Sequence, residues 1–158
     1  MNSAMTYEIT TTNYEATQSV AQRLSRFLRG GEVIELISDL GGGKTTFVQG
    51  IATGLGYFEP VTSPTFTLSN AYVLESGLEL HHYDLYRLSE GGVLGDELAE
   101  DLADPNIITV IEWPEVAGAK LPEDRLTIVI EPTGDLQRRL KFTAGGPISE
   151  RLIEGISA

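Results

Sequence analysis

The sequence predicts an α/β fold in three layers, with a mixed parallel and antiparallel central sheet flanked by helices. Three observations predict it. Short β-branched runs alternate with segments of helical period, as expected of strands packed between helices. Two of the runs, 66–74 and 78–83, are separated only by Glu75-Ser76-Gly77 and read as an antiparallel hairpin, which makes the sheet mixed. A glycine-rich loop over 38–44 joins a predicted strand to a predicted helix.

The elements follow in order. Thr6 to Thr11 reads as a short strand. Thr12-Asn13-Tyr14-Glu15 matches a capping box, with Thr12 as N-cap and Glu15 reaching back. Val20, Ala21, Leu24, Phe27 and Leu28 then recur at helical spacing, and Gly30-Gly31 ends the helix. Glu32 to Ile37 is short, apolar and β-branched, so it reads as a strand. Thr45 to Leu55 has helical character, and Pro60 and Pro64 make 61–65 a loop. Glu90 to Asp104 is acidic and helical in stretches, with Gly91, Gly92 and Gly95 expected to interrupt it. Ile107 to Ile111 is the most apolar run and the best candidate for a central strand. Leu126 to Ile130 and Gln137 to Thr143 read as strands around Thr133-Gly134-Asp135, and Ile148 to Ile156 as a closing helix.

Composition bounds the function. A chain of 158 residues is expected to form one domain, 1–158, on a scale of about 100–200 residues per domain. With 41% hydrophobic and 22% charged residues it is ordinary for a globular protein, which excludes wholesale disorder. Eleven Lys and Arg stand against 23 Asp and Glu, a net charge of −12. That charge argues against general electrostatic binding of nucleic acid or anionic lipid. The absence of cysteine removes thiol catalysis, Cys-based zinc sites and disulfides together. No run of apolar residues is long enough for a membrane span, and Met1 to Thr10 has no signal-peptide pattern. The expectation is a cytoplasmic acidic protein.

The informative stretch is Ser38-Asp39-Leu40-Gly41-Gly42-Gly43-Lys44-Thr45-Thr46. It sits between a strand and a helix, the context of a phosphate-binding loop of the Gly-x-x-x-x-Gly-Lys-Ser/Thr kind. Glycines let the backbone turn several N–H groups inward, and the helix adds its positive end. Lys44 would reach the β- and γ-phosphates, and the Thr45 hydroxyl would ligate Mg²⁺. The fold expected is therefore P-loop NTPase-like. Ser38 occupies the first glycine position, where a positive φ would strain it by about 1 kcal/mol or more. A glycine-rich turn carrying a surface lysine is the competing reading. Against it, the chain has three lysines, and Lys44 alone precedes Lys120.

Such a loop needs a carboxylate for the metal. Asp84 and Glu112 each close a predicted strand, where ligands bind in α/β sheets. A helix N-cap at Asp84 and a plain strand end at Glu112 are the structural alternatives. His81-His82 looks like a metal pair, but adjacent strand residues face opposite sides, so a structural role is expected. Glu97 and Asp101 share one helical face, expected to be solvated.

Four ordered blocks carry a resemblance: Asp39 to Thr46, Ser63-Pro64-Thr65-Phe66-Thr67-Leu68, His82-Tyr83-Asp84-Leu85-Tyr86-Arg87-Leu88 and Ile111-Glu112-Trp113. The sequence resembles the TsaE (YjeE) family over roughly Glu32 to Glu131. These are P-loop ATPases of bacterial tRNA N6-threonylcarbamoyladenosine synthesis. The resemblance implies that Asp39, Leu40, Gly41, Gly42, Gly43, Lys44, Thr45 and Thr46 cradle ATP. It implies that Thr45 and Asp84 serve Mg²⁺, and that Thr65 is a switch-type residue near the γ-phosphate. It makes Glu112 the acid needed for hydrolysis, also on the metal, and Trp113 a neighbour of the nucleotide. The family pattern usually has Gly at Ser38 and often Ala at Gly42. The implied role is a helper ATPase that docks on the TsaB–TsaD pair and resets it between turnovers, with tRNA held mainly by the partners.

Two other functions remain open at this point. A small-molecule kinase would clamp phosphates with a lid and arginines, yet no Arg-rich lid is visible among the eight arginines. A nucleotide-sensing module would bind without relevant turnover. GTP specificity is disfavoured because the Asn-Lys-x-Asp signature is absent.

Overall fold

The computed structural model describes residues 4–38, 43–61, 69–84, 92–112 and 121–158, with side chains between 92 and 96 left aside. The elements run β1 (Thr6–Thr11), α1 (Tyr14–Ser25), β2 (Val33–Ile37), α2 (Lys44–Gly54), β3 (Ser69–Val73), β4 (Glu79–Asp84), α3 (Gly92–Ala103), β5 (Ile107–Glu112), β6 (Leu126–Pro132), β7 (Arg138–Ala144) and α4 (Pro147–Ser157). They build one seven-stranded sheet in the order β1-β7-β6-β2-β5-β4-β3. Strands β6, β2, β5 and β4 are mutually parallel, while β1, β7 and β3 pair antiparallel at the flanks. The sheet is mixed, as expected, and the 69–84 hairpin is antiparallel.

Alternation along the strands divides the core. Ile34, Leu36, Ile108 and Val110 face one side, packed with apolar residues of α1, α2 and α4. Val33, Tyr83 and Ile111 face the other, where α3 covers them with Leu98 and Leu102. Every residue of β5 is buried, which explains its apolar run. It is a central strand, as expected, flanked by β2 and β4.

Three local expectations are corrected. The N-cap of α1 is Asn13, not Thr12; its side chain accepts from the Ala16 N–H at 2.8 Å. Either side chain can cap, and the helix takes the one that leaves Tyr14 as its first residue. Helix α3 runs unbroken through Gly95, because packing against the sheet outweighs a glycine penalty of about 1 kcal/mol. Asp101 is buried rather than solvated. It accepts from the Tyr83 hydroxyl and meets His81 Nδ1 at 2.6 Å. Burial first, and then Asp101, pushes the Tyr83 phenol far up, so Tyr83 remains the donor of that bond.

Helix α2 lies directly against α1. A Cβ on Gly50 would stand 2.6 Å from Ala21 Cβ and 2.8 Å from the Gln18 carbonyl oxygen. The helices can approach this closely only where α2 has no side chain. Gly50→Val is expected to destabilise the protein by about 1–3 kcal/mol in urea unfolding, since helix or side chain must shift to admit it.

The start of α4 is held by Asp124, just before β6. Its carboxylate accepts from the N–H groups of Ile148 and Ser149 at 2.8 and 3.1 Å and from the Ser149 hydroxyl at 2.6 Å. Burial works to raise its pKa, but these three donors outweigh it and hold the group below the usual carboxylate range. A depressed carboxyl adds stability that is present above its unfolded pKa and lost as pH falls through the folded one. Asp124→Ala is expected to cost about 1 kcal/mol at neutral pH, as for a lost helix cap. The gap to the wild type should close below about pH 4, checked by unfolding curves across pH.

Candidate functional site: a phosphate-binding loop beside two strand-end carboxylates

Strand β2 delivers the loop and α2 receives it. Gly43 is the N-cap of α2 at φ +106°, a left-handed conformation that a residue with a Cβ adopts only under strain. As a glycine it has no side chain to cap the first N–H groups, and the first turn of α2 carries no acidic residue. The positive end of the helix is thus arranged for an anion.

Lys44 opens the helix and is only 8% exposed. Lysines are almost never buried to this degree without a partner for the charge. Its Nζ donates to the Ser38 carbonyl oxygen at 3.3 Å, folding the side chain back toward the end of β2. Ser38, the departure from the loop pattern, is itself buried and takes part through this carbonyl. Thr45 is exposed on the first turn and Thr46 half-buried.

The two carboxylates come to the same edge. Strands β2, β5 and β4 are parallel neighbours, with Leu36 in register with Glu112, and Glu112 with Asp84. Adjacent strands lie about 4.8 Å apart, so Asp84 and Glu112 leave the sheet side by side. Residues in register point the same way, and this row faces the α1 and α2 side, as Leu36 does. Lys44, Thr45, Asp84 and Glu112, recognised separately in the sequence, therefore converge at the carboxyl ends of the parallel strands, where α/β sheets bind ligands. Asp39, Leu40, Gly41, Gly42, Thr65 and Trp113 lie outside the described residues.

Oxygen donors of this kind suit a hard cation. Mg²⁺ is commonly held by one or two carboxylates plus substrate phosphates, not by an all-protein cage. Asp84, Glu112 and the Thr45 hydroxyl match that sparse set. Among the described residues, no group of three His, Asp or Glu could hold a metal ion by itself.

Two neighbours had no site role in the sequence reading: Arg138 was not singled out, and His82 was expected to be structural. Arg138, at the start of β7, is buried, and its Nε lies 3.6 Å from where a Cβ on Gly43 would stand. Its Nη1 donates to the carbonyls of Gly134, Asp135 and Gln137 at 3.3, 3.3 and 2.8 Å. Its guanidinium carbon lies 5.9 Å from the centre of the Tyr14 ring. A second fixed cation thus stands at the head of α2. The other neighbour is His82, fully buried, whose Nε2 meets Glu112 Oε1 at 2.8 Å. The available signal was the two-residue step from His82 to Asp84, which places both on one face. His81 points to the opposite face, between Asp101 and Glu79, so the adjacent histidines form no metal pair.

The family model described as "Threonylcarbamoyl adenosine biosynthesis protein TsaE" matches residues 11–140. The tRNA threonylcarbamoyladenosine biosynthesis protein TsaE of Bacillus subtilis is 40% identical over 149 residues, covering 93% of this chain and 91% of the relative. The protein of the same name from Streptomyces coelicolor is 35% identical, covering 85% and 92%. The crystal structure of YdiB from Bacillus subtilis superposes with a TM-score of 0.79 at 35% identity, covering 99% of this chain and 97% of that one. A P-loop fold, a loop lysine buried at the head of α2 and a family match across most of the length lead to one conclusion: the chain belongs to the TsaE family.

Proposed function

We propose that the protein is the ATP-binding and ATP-hydrolysing accessory subunit of the machinery that makes N6-threonylcarbamoyladenosine in tRNA, and that it resets a TsaB–TsaD transferase between turnovers. The observation that carries the reading is the placement of buried Lys44 at the head of α2, with Asp84 and Glu112 in register on the neighbouring strand ends. The pathway is supported by the printed names of the relatives.

Residues take the following parts. Gly43 and residues 39–42 take the β- and γ-phosphates, with Thr46 continuing the helix behind Gly43. Lys44 exchanges its weak contact with the Ser38 carbonyl for phosphate oxygens, a charge-assisted bond. Thr45 and Asp84, with Glu112, hold Mg²⁺, which when bound supplies positive charge to the β- and γ-phosphate oxygens. Glu112 orients the attacking water. Thr65 serves as the switch-type residue for the γ-phosphate, and Trp113 as a nucleotide-binding residue. The whole chain, 1–158, acts as one ATPase domain in the cytoplasm.

The net charge of −12 fits a subunit that leaves tRNA to its partners. The test is a pull-down with the TsaB–TsaD pair, with and without ATP. The expected result is an association that changes with ATP and no longer does so in Lys44→Met. An association indifferent to nucleotide would sink the resetting role.

A further inference from the structure

His82 is a polar ring buried one row behind the strand-end carboxylates. It lies on β4 between Asn70 of β3 and Val110 of β5, with none of its surface exposed. Its side chain faces the α2 side of the sheet, as Asp84 does two residues on. Nε2 stands 2.8 Å from Glu112 Oε1, and Glu112 is itself only 3% exposed. Nδ1 is buried and has no hydrogen-bond partner among the described residues.

The pattern of bonds fixes the chemistry of the pair. A carboxylate oxygen accepts, so the form of the ring that fits this contact carries a hydrogen on Nε2 and donates it to Glu112. The hydrogen bond that His82 makes among the described residues is aimed at the carboxylate proposed to handle water. Alternation along β4 separates it from the cluster of His81, Tyr83 and Asp101, so it has no share in that network.

We propose that His82 is a positioning residue for hydrolysis: its Nε2–H ties down Oε1 of Glu112 and thereby aims the other oxygen, Oε2, at the attacking water. This rests on the reading of Glu112 as the residue that orients that water. A free glutamate side chain would sample several rotamers at the mouth of the site. Tethering one oxygen from within the sheet removes that freedom before the substrate binds. Outer partners of this kind commonly carry about 10- to 100-fold in activity.

The test uses the full chain with Mg·ATP and compares the wild type with His82→Gln, His82→Asn, Glu112→Gln and the double variant His82→Asn/Glu112→Gln. Glutamine carries an amide N–H near the position of Nε2; asparagine reaches only to the position of Nδ1. Hydrolysis in His82→Asn should fall by about tenfold or more, with ATP affinity within about threefold of wild type. His82→Gln should recover most of the lost rate. The double variant should be no slower than Glu112→Gln alone, because His82 acts through Glu112. Wild-type turnover in His82→Asn overturns the proposal. So does a further loss in the double variant, or a drop in binding and activity that tracks loss of fold in both His82 variants. A wild type whose hydrolysis does not depend on Lys44 would instead overturn the ATPase reading itself, a distinct result.

Discussion

Replacing Lys44 with Met is expected to weaken ATP binding about 10- to 100-fold while the protein stays folded. A charge-assisted bond to phosphate is worth about 1.5–3 kcal/mol, and Lys44 supplies at least one. The folded state should not suffer equally. At 8% exposure the side chain packs at the head of α2, where its Nζ donates to the Ser38 carbonyl oxygen at 3.3 Å. Methionine fills similar space there, so the packing survives the loss of the charge. Equilibrium titration with ATP and a parallel unfolding curve check both halves. Unchanged affinity would remove Lys44 from the site. Affinity lost together with cooperative unfolding would make it a structural lysine.

Glu112→Gln should separate binding from turnover. The amide keeps the volume of the side chain, and its carbonyl oxygen can still accept from His82 Nε2. It cannot accept a proton from water or offer a full charge to a cation. ATP hydrolysis is expected to fall by about 10²- to 10⁴-fold, the range for losing a general base. ATP affinity should change far less, because the loop and α2 remain. Steady-state kinetics beside direct binding decide it. A variant that hydrolyses ATP normally would return Glu112 to the status of a buried strand end.

The elements that place this site were legible in the sequence for physical reasons. Val33 to Ile37 and Ile107 to Glu112 are buried on both faces of the sheet, so their runs are apolar. A loop of glycines between strand and helix has few uses other than gripping an anion. Asp84 and Glu112 could be paired because each ends a strand, and parallel register then brought them together.

What was illegible depends on tertiary neighbours. His82 meets a residue 30 positions away, and its step to Asp84 told its face but not its partner. Arg138 reaches the head of α2 from the start of β7, and its company with Gly43 is spatial alone. Asp101 shares a helical face with the exposed Glu97, yet it is buried because α3 tilts that position onto Tyr83 and His81. The unbroken course of α3 through Gly95 has the same origin, since local propensity yields to a packed apolar face. Asn13 displaced Thr12 as N-cap by a single position, a choice between two capable side chains that spacing does not make.

Seen with the site assembled, the acidity of the chain also has a physical consequence. Lys44 and Arg138 stand at the head of α2 in a chain of net charge −12. A triphosphate approaches against a long-range repulsion and is held by short-range contacts, so binding should depend on Mg²⁺ and weaken when it is removed.

ATP turnover at this site is expected to drive a partner transferase through successive rounds. The most direct measurement is product formed per transferase in an otherwise complete, reconstituted tRNA modification reaction, with wild-type protein, with Glu112→Gln and with no protein added. The account predicts many rounds with the wild type, and no more than about one round with Glu112→Gln or without the protein, the size of a reset that fails. Many rounds in all three reactions would contradict it.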